Sequence, residues 1–195
     1  QEYALSVREK NAVEDITRVL YPNDSTYEGK RLRLKQQYFF VSATVQSITR
    51  QHIQQYGTLK NFHEKNVIQI NDTHPALCIP ELMRIFVDDY HFSWDKAWDM
   101  VTRTVSYTNH TVMPEALEKW DEDLFALKLP RIHTIVKEIN ERFCREAWKY
   151  YPGNWEKISQ MSIIAYGQVR MANLAVVASH HINGVSKLHS GILKE

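Results

Sequence analysis

The sequence predicts a helix-rich α/β fold built around a parallel sheet. Short β-branched runs occur at Val67–Ile70 and Thr104–Tyr107, and amphipathic helical stripes flank them. Helices separate the strands along the chain, the order expected of right-handed βαβ crossovers. The 195 residues suffice for one sizeable domain with a buried core, or for a large part of one.

Each element has a local reason. Leu5, Ala12, Ile16, Val19 and Leu20 recur at helical spacing until the turn cluster Tyr21-Pro22-Asn23-Asp24. From Arg31 a second helix carries Leu34, Tyr38, Val41, Val45 and Ile48 on one stripe, with Arg, Lys and Gln opposite. Residues 57–66 are polar and read as a connection. After the Val67–Ile70 strand, Pro80 suits the first turn of a helix bearing Leu82, Ile85 and Phe86. Ser93 is expected to cap a helix with Trp94, Ala97, Trp98 and Val101 on one face. Pro114 is expected to begin a short helix running to Trp120. Ile132, Ile135, Ile139, Phe143 and Ala147 mark a long amphipathic helix, which Tyr151-Pro152-Gly153-Asn154 ends. Helices over Trp155–Met161 and Val169–Ala178, a weak strand at His181-Ile182-Asn183 and a terminal helix from Val185 complete the expectation. The tryptophans Trp94, Trp98, Trp120, Trp148 and Trp155 fall mostly on helix stripes and are expected in the core.

Composition narrows the function classes. With 24 Lys+Arg against 23 Asp+Glu, no global field points to nucleic acid or a membrane surface. No apolar run approaches the roughly 20 residues of a bilayer span. Two cysteines, Cys78 and Cys144, suggest a reducing cytosol, and Cys78 between Leu77 and Ile79 reads as core packing. Six glycines and no GxGxxG or GxxxxGK[ST] motif argue against a glycine-rich phosphate cradle. The nine histidines show no metal-ligand spacing. Helical patterning starts almost at residue 1 and the last residues carry no stop signal, so the chain is expected to be one domain cut from a longer protein.

In an open parallel sheet, ligands bind beyond the carboxyl ends of the strands. Two segments have that form, Asn71-Asp72-Thr73-His74-Pro75 and Thr108-Asn109-His110-Thr111. Both are dense in short polar side chains and backbone donors, which suits sugar hydroxyls. Helix capping would account for one such loop taken alone, but two, each bearing a His after a strand, shift the reading toward function. A carboxylate pair would draw on Glu115, Glu118, Asp121, Glu122 and Asp123, but sequence does not give the separation that glycoside hydrolysis requires.

Longer motifs carry a resemblance. Val19-Leu20-Tyr21-Pro22-Asn23-Asp24, Leu32-Arg33-Leu34-Lys35-Gln36-Gln37-Tyr38-Phe39, Ile68–Pro75, Ile79–Arg84, Tyr107–Glu118 and His181–Val185 all resemble the α-glucan phosphorylases of glycogen, starch and maltodextrin. The resemblance implies a cytoplasmic, homodimeric glycosyltransferase that uses inorganic phosphate to release glucose 1-phosphate from an α-1,4-glucan. It implies a glycosyltransferase-B fold of two Rossmann-like domains, of which residues 1–195 would be the later part of the N-terminal one. Pyridoxal phosphate would sit on a lysine of the C-terminal domain, outside this chain, leaving the chain inactive alone. Carried onto this sequence, Asn23, Asp24 and Ser25 would form a gate loop, with Asp24 beside the glucosyl site. Asp72, His74 and Asn109 would line the sugar subsites, His110 would accept from the glucosyl 6-hydroxyl through its carbonyl, and Glu115 would support that wall. Gln51 after Arg50, where AMP-activated relatives carry two arginines, implies an unregulated, maltodextrin-type member. The alternative is a non-catalytic sugar-binding or dimerisation portion of another glycosyltransferase-B enzyme.

Overall fold

The computed structural model describes residues 2–111 and 113–185, so the helix expected beyond Val185 lies outside the described residues. A parallel three-stranded sheet organises the chain, in the order β1 (Ile68–Asn71), β2 (Val105–Asn109), β6 (His181–Gly184). Ile68 pairs with Val105 and Ser106 with His181, which brings the carboxyl ends of all three strands to one edge. The expected α/β organisation therefore holds.

The helices around this sheet form for the reasons their sequences suggest. α2 (Tyr27–Tyr56) starts one turn earlier than expected, because Thr26 caps it by accepting from the Gly29 amide at 3.1 Å. It runs for 30 residues, about 45 Å at 1.5 Å per residue. Leu34, Val41 and Val45 are buried along its predicted stripe, and Gly57 in the left-handed region (φ 68°) ends it. α1 (Glu2–Arg18) lies mostly in solvent and is tied to α2 by Gln36, whose amide donates to the Ile16 and Val19 carbonyls at 2.7 Å. Within the 57–66 connection a single turn, α3 (Phe62–Lys65), buries Phe62 against Phe86 and His52.

Between β1 and β2 run α4 (Cys78–Arg84), a π-turn (Ile85–Asp89) and α5 (Trp94–Thr104). The extra residue in the π-turn brings Asp89 within 3.2 Å of Arg84, which already grips Glu81 through two bonds of 2.9 Å. Glu81 is fully buried, and Tyr38 and Ser42 of α2 each donate to it at 2.8 Å. Burial and this carboxylate push the Tyr38 hydroxyl up to about 12. Ser93 occupies the N-cap of α5, but its side chain makes no capping bond.

The segment after β2 departs most from expectation. Pro114–Ala116 is only a 3-10 turn, and residues 119–121 form a strand, β3 (Lys119–Asp121). Trp120 points inward while Lys119 and Asp121 face out, an alternation too short to register as periodicity. α6 (Glu122–Lys128), α7 (Pro130–Tyr150) and α8 (Trp155–Met161) follow. β4 (Ile164–Ala165) and β5 (Gln168–Arg170) then complete a small antiparallel sheet in the order β3-β5-β4, where Trp120 pairs with Val169. Val169 thus belongs to a strand, and α9 begins at Met171 and ends at Ala178. Trp120 is buried and Trp94 and Trp98 pack against the core, but Trp155 is 68% exposed. It stacks on the half-buried Trp148 at 4.3 Å, where α8 leaves the end of α7, rather than entering the core. Cys78 is buried as expected, which pushes its thiol up to about 12.

Candidate functional site

The carboxyl ends of β1 and β2 carry the two polar loops, and the structure ties one to the other. Asp72 stands in the left-handed region at φ 57°, a conformation that a short polar side chain tolerates. Its amide donates to the Thr108 carbonyl at 2.9 Å, extending the sheet by one bond. One carboxylate oxygen accepts from the Thr73 amide at 2.8 Å, and the other accepts from the Thr111 hydroxyl at 2.9 Å. The Asn71 amide oxygen meets the His110 imidazole at 3.2 Å. Burial, with Asp72 nearby, pushes the Tyr107 hydroxyl up to about 12.

A cavity of about 560 Å³ opens beside these loops. Asp24, Asp72, His74 and Glu115 line it, drawn from three segments widely separated in sequence. Asn23 and Ser25 shape the Asp24 turn instead, with the Asn23 side chain accepting from the Ser25 amide at 2.9 Å. Asn109 is buried and turned inward, donating to the Tyr107 hydroxyl at 3.0 Å and accepting from the Thr111 amide at 2.7 Å. Its side chain holds the loop and does not line the cavity. The His110 imidazole, exposed beside Asn71, stands outside it as well.

The far wall comes from residues that sequence reasoning had not placed there. Arg33 of α2 reaches Asp24 at 2.8 Å and Glu118 at 3.4 Å, and Gln37 donates to the same Glu118 oxygen at 3.0 Å. Trp120, Gln168 and the exposed Lys30 and Lys119 complete the lining. Arg33 carried no signal in sequence beyond its place on the polar face of α2, since Glu118 lies 85 residues away. Glu118 was legible only as one of several acids near β3. Four buried polar atoms of this wall lack a protein partner: Arg33 Nε, Gln37 Oε1, Glu118 Oε1 and Trp120 Nε1. Such groups hold unused hydrogen-bonding capacity.

The cavity therefore presents five carboxylates (Asp24, Asp72, Glu115, Glu118, Asp121) against three cations (Lys30, Arg33, Lys119). That balance suits a neutral, hydroxyl-rich ligand, which acceptors and amides grip from several sides. It does not fit pyridoxal phosphate, which needs an enclosed lysine and a cationic seat for its phosphate, whereas both cavity lysines are exposed. Among the described residues no group of three or more His, Cys, Asp or Glu side chains converges on a metal position.

Comparison with known proteins matches the chain over its whole length. The family described as carbohydrate phosphorylase matches residues 1–195. Glycogen phosphorylase of Bacillus subtilis is 53% identical over 186 residues, covering 95% of this chain and 23% of that protein. Glycogen phosphorylase of Synechocystis is 48% identical over 197 residues, covering 100% of this chain and 23% of that protein. The human muscle form is 48% identical over 204 residues, covering 99% and 24%. The chain thus spans about a quarter of the length of these relatives. With its whole length matched and every loop of the cavity inside the match, the chain belongs to the carbohydrate phosphorylase family.

Proposed function

We propose that this chain is part of an α-1,4-glucan phosphorylase and forms one wall of its glucosyl site. One observation carries the reading: Asp24, Asp72, His74 and Glu115, drawn from separate motifs of the resemblance, line a single cavity at the carboxyl edge of the parallel sheet. Identities of 48–53% to glycogen phosphorylases support it over a portion of some other glycosyltransferase-B enzyme.

In this reading the intact enzyme takes an α-1,4-glucan and inorganic phosphate and releases glucose 1-phosphate. Asp72, tied down by Thr73 and Thr111, fixes the two strand-end loops so that backbone groups, including the His110 carbonyl, meet sugar hydroxyls without reorganising. The Asn23–Ser25 turn closes over the cavity and keeps water from the glucosyl centre, so that phosphate is the nucleophile. The anionic lining leaves phosphate binding and the pyridoxal phosphate to the remainder of the enzyme, which we place in a second Rossmann-like domain of a cytoplasmic homodimer. When bound there, that cofactor supplies a phosphate group able to exchange a proton with the substrate phosphate. On this basis the chain alone is inactive, and residues 1–195 are the later part of one domain.

Asp24→Ala in the intact enzyme tests the reading. Glucose 1-phosphate release from maltodextrin and phosphate should fall by about tenfold or more, with the unfolding midpoint nearly unchanged because Asp24 is half exposed. Unchanged turnover removes the gate assignment, and free glucose as the wild-type product removes the phosphorylase assignment.

A further inference from the structure

The geometry points to Arg33 as a positioning residue that holds Asp24 at the mouth of the cavity, an inference that rests on reading that cavity as the glucosyl site. The turn bearing Asp24 is drawn onto the first turn of α2. Thr26 accepts from the Gly29 amide, and the Lys30 amide donates to the Thr26 carbonyl at 2.9 Å. A Cβ added at Gly29 would stand 1.8 Å from the Asn23 carbonyl oxygen, so the absence of a side chain is what lets the turn lie so close. This fold-back places the Asp24 carboxylate within reach of the Arg33 guanidinium, about two helical turns in from the start of α2.

The guanidinium is oriented from several sides. Its Nη1 donates to Asp24 at 2.8 Å, a short charge-assisted bond. Its Nη2 makes a weaker 3.4 Å contact with Glu118 on the opposite wall, and Gln37 fixes the same Glu118 oxygen. The Tyr21 ring lies 5.9 Å from the guanidinium carbon and is itself packed edge-on against His74 at 5.6 Å. Arg33 is only 20% exposed while Asp24 is 49% exposed. The better-anchored partner thus sets the position of the freer one. Because the pair is partly solvated it adds little to stability, and its consequence is where the Asp24 carboxylate stands.

The test uses the full-length enzyme that carries this chain, as wild type, Arg33→Gln, Arg33→Lys, Asp24→Asn and the Asp24→Asn/Arg33→Gln double variant. Arg33→Gln is expected to lower kcat for glucose 1-phosphate release about tenfold, with a much smaller change in the KM for maltodextrin. Arg33→Lys, which keeps the charge but not the fork, should recover part of the loss. In the Asp24→Asn background, Arg33→Gln should cost less than about twofold more, because Arg33 acts through Asp24. A full tenfold loss in that background, or an unchanged kcat for the single variant, overturns the assignment. Should Arg33→Gln fail to fold, Arg33→Lys against Asp24→Asn/Arg33→Lys carries the same comparison. Hydrogen exchange at the amides of residues 23–26 provides a readout independent of turnover. Faster exchange in Arg33→Lys supports the clamp, and unchanged exchange overturns it. A wild type that makes no glucose 1-phosphate defeats the functional reading instead, and the exchange result still judges the clamp.

Discussion

Two arginine–carboxylate clusters flank α2, and they are built to opposite specifications. At Glu81 every bonding direction is used: Tyr38, Ser42 and two nitrogens of Arg84 all donate to a fully buried carboxylate. At Glu118 one oxygen accepts from Arg33 and Gln37 while the other, buried, has no protein partner. Arg33 Nε, Gln37 Oε1 and Trp120 Nε1 nearby are also left without partners. A saturated network fixes one packing arrangement, because each member would be costly to orphan. An unsaturated one beside a cavity keeps donors and acceptors available to a ligand. The difference separates a saturated carboxylate from one that keeps an acceptor free better than charge or burial does.

The largest effect that could break this comparison is at Glu81. Glu81→Gln removes the charge that Arg84, Tyr38 and Ser42 converge on, and should destabilise the fold by about 3 kcal/mol in denaturant unfolding. A loss similar to that of a surface substitution would show that the network does not hold Glu81 as a saturated buried carboxylate. Glu118→Gln should behave the other way. One acceptor oxygen remains for Arg33 and Gln37, so stability should change by less than about 1 kcal/mol. Glucose 1-phosphate release by the intact enzyme should nevertheless fall about tenfold. If both substitutions destabilise equally, the distinction fails.

The smallest effect concerns the buried hydroxyls. Tyr38 and Tyr107 are both pushed from 10.0 to about 12, chiefly by burial. A folded pKa raised above the unfolded one means that the folded state holds its proton more tightly. The associated stability is complete below pH 10 and is lost as the pH rises towards 12. Tyr107→Phe should therefore flatten part of the alkaline limb of the stability profile, on top of a pH-independent loss from the buried Asn109 donor that it leaves unpaired. An identical alkaline limb in the variant would show that Tyr107 does not titrate in this way.

The elements legible in sequence were those with enough length or chemistry to repeat. The stripe from Leu34 to Ile48 and the runs at Ile68 and Val105 are such cases, as are the Asn71 and Asn109 loops after their strands. The antiparallel sheet was not legible, because β3, β4 and β5 have three, two and three residues. Strands that short show no periodicity, and their reason for being extended lies in a partner distant along the chain. Pro114 suggested a helix start and found only a 3-10 turn, because Trp120 gains more from burial opposite Val169 than from continuing a helix. At the site, Asp24, Asp72, His74 and Glu115, scattered through the sequence, line one cavity. The Asn109 side chain turned inward, because an Asn at a strand end can satisfy its own loop through the Thr111 amide and the Tyr107 hydroxyl.

The sequence by itself determined the family, the parallel α/β core and the loops that follow its strands, because each rests on local residue patterns. Only the tertiary structure decided which polar side chains share the cavity. It brought Arg33 to Asp24 and Glu118, withdrew Asn109 and left part of the wall unpaired. Hydrogen-bond partners separated by some 80 residues are chosen by how helices and strands pack, and no local pattern encodes that choice.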